Sequence, residues 1–310
     1  MLHIDVGVMA YNEDKDIVNL LQSFCNQKLE NVAIDTITVV SSGSTDRTND
    51  LVKEFCKRDK RVRLLIQQKR EGKASAINAF LKEVKKDVVV ISNADVILDE
   101  NAVERLIFPI TINELVGITS VNLVPLNDSN SLMGFVSNMH FKIHNLLNRH
   151  GETIALKKNL VRRIPEIATD EAYAEAVVQK KGHKAVHVNN AVVYKKGPET
   201  ISDFLKQVRR DHVGHLFLKN KLGYLVSSMS AAGMKKVAKE LIKCAIRNPL
   251  RIHRIAGYFI LEIVGRILGA WDYYLKKEKH IIWDVAKTTK NLKAHINRSR
   301  MINTDSVRGI

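Results

Sequence analysis

Hydrophobic and polar positions alternate between two periods along the first hundred residues. Residues 4–9 form an apolar run with the length of a buried strand. Asn12-Glu13-Asp14 then supplies helix-start signals, and Ile17, Leu20, Leu21 and Phe24 recur at helical spacing. Residues 34–40 predict a second strand, rich in β-branched side chains, ending in the turn Ser41-Ser42-Gly43-Ser44. A helix with Leu51, Val52 and Phe55 on its apolar side follows, then a strand over 62–66, a helix over 72–84 and a strand over 88–92. Such short alternation predicts an α/β fold with a mainly parallel sheet flanked by helices.

Beyond Gly117 the pattern is less regular. It predicts a strand over 118–124, a helix over 132–147, a short strand over 153–156, a helix over 170–180 and short strands over 185–188 and 191–194. Residues 200–293 read as largely helical. Within them, 255–275 is apolar enough to suggest a membrane span, but Glu262, Arg266 and Asp272 interrupt it. Each ionised group at mid-bilayer would cost roughly 2.5–3.5 kcal/mol. Tyr258, Glu262, Arg266 and Asp272 fall near one stripe, opposite Ile260, Ile263, Val264, Ile267 and Trp271. Two readings remain: an amphipathic helix lying on a membrane surface, or a helix packed on its own domain.

Composition narrows the class. The chain has 310 residues, 45% of them hydrophobic, enough for one large domain or a domain with an appendage. Cys25, Cys56 and Cys244 are odd in number and far apart, so neither a disulfide framework nor a cysteine zinc site is expected. No secretory leader is visible, and a reducing, cytoplasmic setting fits. The net charge of +16 is uneven: residues 1–200 hold 27 Lys and Arg against 25 Asp and Glu, residues 201–310 hold 22 against 8. A positive last third attracts nucleic acid, anionic lipid or phosphorylated substrates.

Ligands of parallel sheets bind beyond the carboxyl ends of the strands, so the polar loops there matter most. Asn93-Ala94-Asp95 fits either a helix cap or a carboxylate site for a hard cation. Ser41-Ser42-Gly43-Ser44-Thr45-Asp46 fits an ordinary turn or a backbone approach to a nucleotide. Gly72-Lys73 at a helix start could meet a phosphate or simply be solvated. Thr169-Asp170-Glu171 opens a helix, where acids are favoured on dipole grounds and could also act as a general base. His212 and His215 follow in the basic region as surface or core histidines or a further metal ligand.

Taken in order, these segments resemble family 2 glycosyltransferases of GT-A fold. Met9-Ala10-Tyr11-Asn12-Glu13 is similar to that family's opening P-x-Y-N-E loop. Residues 39–48 are similar to V-V-D-D-G-S-x-D-x-T, and Gly72-Lys73-Ala74 with Asn78 to G-K-A-x-A-x-N. Asn93-Ala94-Asp95 sits at D-x-D, Thr169-Asp170-Glu171 at T-E-D, and Gln207 with Arg210 at Q-x-x-R-W. The resemblance implies a GT-A domain over 1–215; the helical, basic region over 216–310 follows it, and its charge and amphipathic pattern make it a candidate for membrane association. It implies an inverting transfer of sugar from a nucleotide-diphosphate-sugar to a hydroxyl of a glycan or a polyprenyl- or lipid-linked acceptor, in polysaccharide or glycan biosynthesis. Ala10, Tyr11, Glu13, Ser42, Asp46, Lys73, Asn93, Gln207 and Arg210 would bind donor, and Asp95 would hold magnesium or manganese. Glu171 would be the base, with Asp170 the alternative.

Four positions depart from the family pattern. Ser42 stands for an Asp that contacts the base, Asn93 for the first Asp of D-x-D, Asp170-Glu171 reverses Glu and Asp, and Asp211 replaces a Trp. The last weakens the case for a processive polymerase. Trp283-Asp284 with Thr288-Thr289-Lys290 resembles a tail motif of some members. The expected location is the cytoplasm, peripheral at an anionic membrane surface. Two rivals stand beside this reading. One is a GT-A-like binding protein with decayed chemistry and a basic tail for nucleic acid or membrane; the other is a nucleotidyltransferase. No aromatic stacking motif or helix-turn-helix supports a nucleic-acid partner.

Overall fold

The computed structural model describes residues 1–282 and 287–292. The chain begins with β1 (Leu2–Ala10), α1 (Ile17–Cys25), β2 (Val32–Ser42), α2 (Thr48–Arg58), β3 (Val62–Gln67), α3 (Lys73–Glu83) and β4 (Val88–Asn93). It continues through β5 (Ile97–Leu98), α4 (Ala102–Ile112), β6 (Val116–Pro125), α5 (Leu132–Leu146), β7 (Thr153–Lys157), α6 (Asp170–Lys180) and β8 (Lys184–Lys195). The last third holds α7 (Ile201–Leu222), α8 (Ala231–Arg247) and α9 (Ile252–Trp271). α7 runs unbroken through positions 215 and 216, so the division drawn there from sequence falls inside one helix.

Eight strands form one sheet in the order β3-β2-β1-β4-β7-β6-β8-β5. β1 to β4 are mutually parallel, as are β6 and β8, so the mainly parallel sheet read from sequence is present. β7 is antiparallel to both β4 and β6, and β5 to β8. The reversal of β7 matters for the site: its first residues lie where β4 ends, and Asn93 N donates to Glu152 O at 2.8 Å. The two short strands expected near 185–194 are one strand, β8, with a bulge. Val121 pairs with Val188, but Asn122 pairs with Val192.

Side chains alternate across the strands and feed a core on each face. Ile4, Val6 and Val8 meet α1 and α4 through Leu20, Phe24, Leu106 and Ile107. Met9, Val89 and Ile91 meet α3 and α6 through Ile77, Phe80, Ala174 and Val178. Each such side chain, fully buried, contributes about 1.5–3 kcal/mol. Gly7 is required here, because a Cβ on it would lie 2.5 Å from the Phe80 ring.

A third cluster joins α5, α7 and α9 through Val136, Met139, Phe204, Val208, Ile255 and Tyr258. The polar stripe of α9 turns inward. Glu262 Oε1 lies 2.9 Å from His140 Nδ1 on α5, and Tyr258 OH donates to it at 3.4 Å. Past α9, Asp272 is fully buried and paired with Arg209 of α7. Among the described residues no helix is long and apolar enough to cross a membrane.

Candidate functional site

The carboxyl ends of β1, β2, β4 and β8 converge on a cavity of about 290 Å³, closed on its far side by α5, α6 and α7. The loops after β1 and β2 are built as one unit. Asn12 adopts φ 52°, a left-handed conformation that Asn tolerates. Its Oδ1 accepts from Thr45 N at 2.8 Å, while Glu13 N donates to Thr48 Oγ1 at 2.7 Å. Asp46 accepts from Thr48 N at 2.9 Å and from Asp14 N at 3.1 Å. It is thus the clasp between the two loops and does not line the cavity. Ala10, Tyr11, Glu13 and Ser42 do line it. The Arg70 guanidinium sits 3.9 Å from the Tyr11 ring centroid, a cation–π contact that fixes the aromatic at the cavity edge.

The second group is a chain of alternating charge at the end of β4. Asn93 Nδ2 donates to Glu152 Oε2 at 2.7 Å. Lys195, the last residue of β8, contacts Glu152 and lies 3.3 Å from Asp95 Oδ2. Burial pushes the Asp95 carboxyl up, but the Lys195 and Lys290 ammoniums outweigh it and hold it below the usual range. Glu13 is different: burial pushes it up to about 8, against the opposing charge of Lys290. Its Oε2 is buried without a hydrogen-bond partner. An ionised Asp95 lining the cavity, near this unsatisfied acceptor, fits a hard cation that takes most of its other ligands from a bound molecule. Among the described residues, the group of three ligand-type side chains is Asp272, Glu278 and His280, where Asp272 is already held by Arg209. His215 sits 3.4 Å from an Arg149 nitrogen and joins no such group, nor does His212.

The third group opens α3 and α6. Lys73 is largely enclosed, its ammonium 3.0 Å from Asp170 and in contact with Glu171. Burial pushes Asp170 up to about 7, reinforced by the neighbouring Glu171 charge. Burial also pushes Glu171 up, but Lys73 overcomes it and holds this carboxyl below its ordinary value. Glu171 lines the cavity; Asp170, 2% exposed, lies behind it. Lys73 therefore serves the acidic pair first, and the phosphate role read from sequence would have to share it.

α7 forms the opposite wall with Gln207 and Arg210. Arg210 donates to Asp211 at 3.0 Å, and Asp211 also lies 3.8 Å from Arg149. Across the mouth runs the 287–292 stretch. Thr288 Oγ1 donates to Asp203 Oδ2 at 2.8 Å, Leu292 N donates to Asp16 at 2.7 Å, and Lys290 contacts Glu13. Gly72 permits the tail's earlier crossing: its φ is 90°, and a Cβ there would meet the Ile281 carbonyl at 2.7 Å. Trp283 and Asp284 of the tail motif lie outside the described residues.

The structure thus gathers Ala10, Tyr11, Glu13, Ser42, Lys73, Asn93, Asp95, Glu171, Gln207 and Arg210 around one cavity and leaves Asp46 and Asp170 outside its lining. Sequence reasoning missed Lys195, Glu152 and Arg149. Lys195 had a usable signal, a cation directly after an apolar strand in a parallel sheet.

The model of glycosyl transferase family 2 matches residues 5–164, more than half of the chain. The chain belongs to that family. The match ends before Glu171, Gln207 and Arg210. Among curated relatives, glycosyltransferase GlyG of Streptococcus pneumoniae is 33% identical over 103 residues, covering 33% of this chain and 33% of the relative. Poly-beta-1,6-N-acetyl-D-glucosamine synthase of Staphylococcus aureus is 24% identical over 223 residues, 66% of this chain and 53% of the synthase. The chain therefore spans about a third and about half of these relatives. Among solved structures, mannosyltransferase PcManGT from Pyrobaculum calidifontis, in complex with GDP-Man and manganese, superposes with a TM-score of 0.62. It is 19% identical, with 89% of this chain and 88% of that chain covered. The shared architecture is the GT-A fold, with the helical C-terminal region appended to it. In this family 2 member, the cavity described above lies at the carboxyl edge of the GT-A sheet.

Proposed function

We propose that this chain is an inverting glycosyltransferase, moving a sugar from a nucleotide-diphosphate-sugar to a hydroxyl of a glycan or lipid-linked acceptor. One observation carries the reading: Glu171, tied to Lys73, shares a single cavity with Asp95 and the α7 residues Gln207 and Arg210. That is the pairing an in-line displacement needs, a base for the attacking hydroxyl and charge complementarity for the departing diphosphate. The solved mannosyltransferase of like fold, bound to GDP-Man and manganese, supports the donor class.

In this mechanism Ala10, Tyr11, Glu13 and Ser42 bind the nucleoside, and Asn93 orients Glu152 and Lys195 behind it. Glu171 takes the proton of the acceptor hydroxyl as its oxygen bonds to the anomeric carbon and the bond to the diphosphate breaks. Lys73 keeps Glu171 ionised until that moment, and Asp170, whose carboxyl burial pushes up, lies behind them. Arg210 and Gln207 donate to the diphosphate oxygens. Asp95 would hold magnesium or manganese, which would supply Lewis-acid neutralisation of the leaving charge. Residues 1–215 carry this chemistry, and the basic region after them places it peripherally at the cytoplasmic face of a membrane with anionic lipid.

A thermal-shift screen of nucleotide-sugars with manganese tests the reading. One donor is expected to stabilise the chain by about 2.7 kcal/mol at a hundredfold excess over its Kd. If no nucleotide-sugar shifts the transition while nucleic acid does, the decayed binding protein is the better account.

A further inference from the structure

We infer that the outward face of α9, with the neighbouring end of α8, is a docking surface for an anionic lipid bilayer. This deepens the proposed function by naming the surface that meets the membrane. The basis is an inversion of the usual helix polarity. α9 buries its polar stripe, Tyr258, Glu262 and the following Asp272, against α5 and α7. Every exposed residue of α9 from 256 to 271 is apolar. Phe259, Ile260, Ile263, Val264, Ile267 and Trp271 are 37–62% exposed. A soluble helix normally presents charge on that side. The neighbouring chain adds Ile242, Ile246 and Leu250, also exposed.

Charge selects the occupant. Lys235, Lys239, Lys243 and Arg247 are exposed along α8, and Lys276, Lys277 and Lys279 just past α9. Apolar side chains bounded by lysines at both ends suit an interface where tails take the apolar groups and anionic headgroups take the ammoniums. A second copy of this chain suits it less, since a self-complementary contact would press one basic rim against another.

The surface is tied closely to the site. α9 packs on α7 through glycines: a Cβ on Gly265 would lie 2.6 Å from Val208, and one on Gly269 would lie 2.6 Å from the Arg209 carbonyl. The other side of α7 carries Gln207 and Arg210 into the cavity. One helix, roughly 8–10 Å between axes, separates the bilayer face from the acceptor wall. An acceptor hydroxyl anchored in the same membrane is thereby held beside the cavity.

The test is flotation of the full chain with vesicles of equal parts phosphatidylcholine and phosphatidylglycerol, against phosphatidylcholine alone. The double variant Ile263→Asp, Ile267→Asp changes only exposed positions, and its melting transition verifies that it is folded. The chain is expected to float with the anionic vesicles, more weakly at high salt, and the variant to lose at least about tenfold in binding. Tryptophan emission should shift to the blue on binding in the parent and lose that shift in Trp271→Phe. Flotation unchanged by the two Asp substitutions overturns the inference. So does a concentration-dependent dimer that the substitutions abolish, without vesicle binding. Neither measurement uses a nucleotide, so a failure here leaves the donor screen to decide the transferase reading by itself.

Discussion

Lys195 Nζ stands 3.3 Å from Asp95 Oδ2. Residues 100 positions apart in sequence are brought together because β8 and β4 end on the same edge of the sheet. The ammonium neutralises Asp95 and Glu152 together, where a divalent cation would otherwise face two carboxylates. Replacing Lys195 by Met should therefore cost about 3–5 kcal/mol in urea unfolding at neutral pH, because two partly buried carboxylates lose their counter-charge. Manganese should stabilise this variant more than it stabilises the parent.

Glu171 reaches the cavity and Asp170 does not. Glu171→Gln should leave nucleotide-sugar binding within a few-fold of the parent and lower turnover by about 10²-fold or more. Asp170→Asn removes the buried acid that burial pushes up to about 7 and should perturb turnover less. Full turnover in Glu171→Gln would move the base to another group.

Two half-buried histidines contribute to the acid limit of stability. Burial pushes His187 down to about 4, with His150 charge adding to it, and His212 down to about 4, with Arg266 adding and Glu262 opposing. A folded value below the unfolded 6.5 means the unfolded chain binds the proton more readily. The contribution of these two histidines is therefore complete above about 6.5 and falls as pH drops toward 4. His212→Asn should flatten part of that fall, read as the melting temperature across this range.

The α7–α9 contact depends on the absence of a side chain. Gly269→Val would place a Cβ 2.6 Å from the Arg209 carbonyl and 2.9 Å from His212. The expected cost is about 1–3 kcal/mol of overpacking, or a displaced α9. Circular dichroism and limited proteolysis between α8 and the tail would show either outcome.

Much of the fold was legible because strand and helix periods are clean in the first hundred residues. α4 was not among the elements read from sequence. Its Phe108 and Ile112 are exposed while Leu106, Ile107 and Ile110 are buried, and Pro109 lies in its last turn, so the apolar period is blurred. At the site, the strand-end rule found Asp95, Tyr11 and Ser42. It could not find Glu152, which arrives on the start of a reversed strand. The motif also brought Lys73 to the cavity without revealing that its ammonium is held by Asp170 and Glu171. On α9 the two faces were readable, but which one turns inward depends on His140 and Arg209, contributed by α5 and α7.

The central claim is that a nucleotide diphosphate binds here with a metal held by Asp95. Calorimetric titration of UDP and GDP into the parent and into Asp95→Ala, each with and without manganese, tests it most directly. The account expects one nucleotide to bind the parent in a manganese-dependent way, with affinity reduced at least about tenfold in the variant, roughly 1.4 kcal/mol. Equal affinity in parent and variant, with and without manganese, would contradict it.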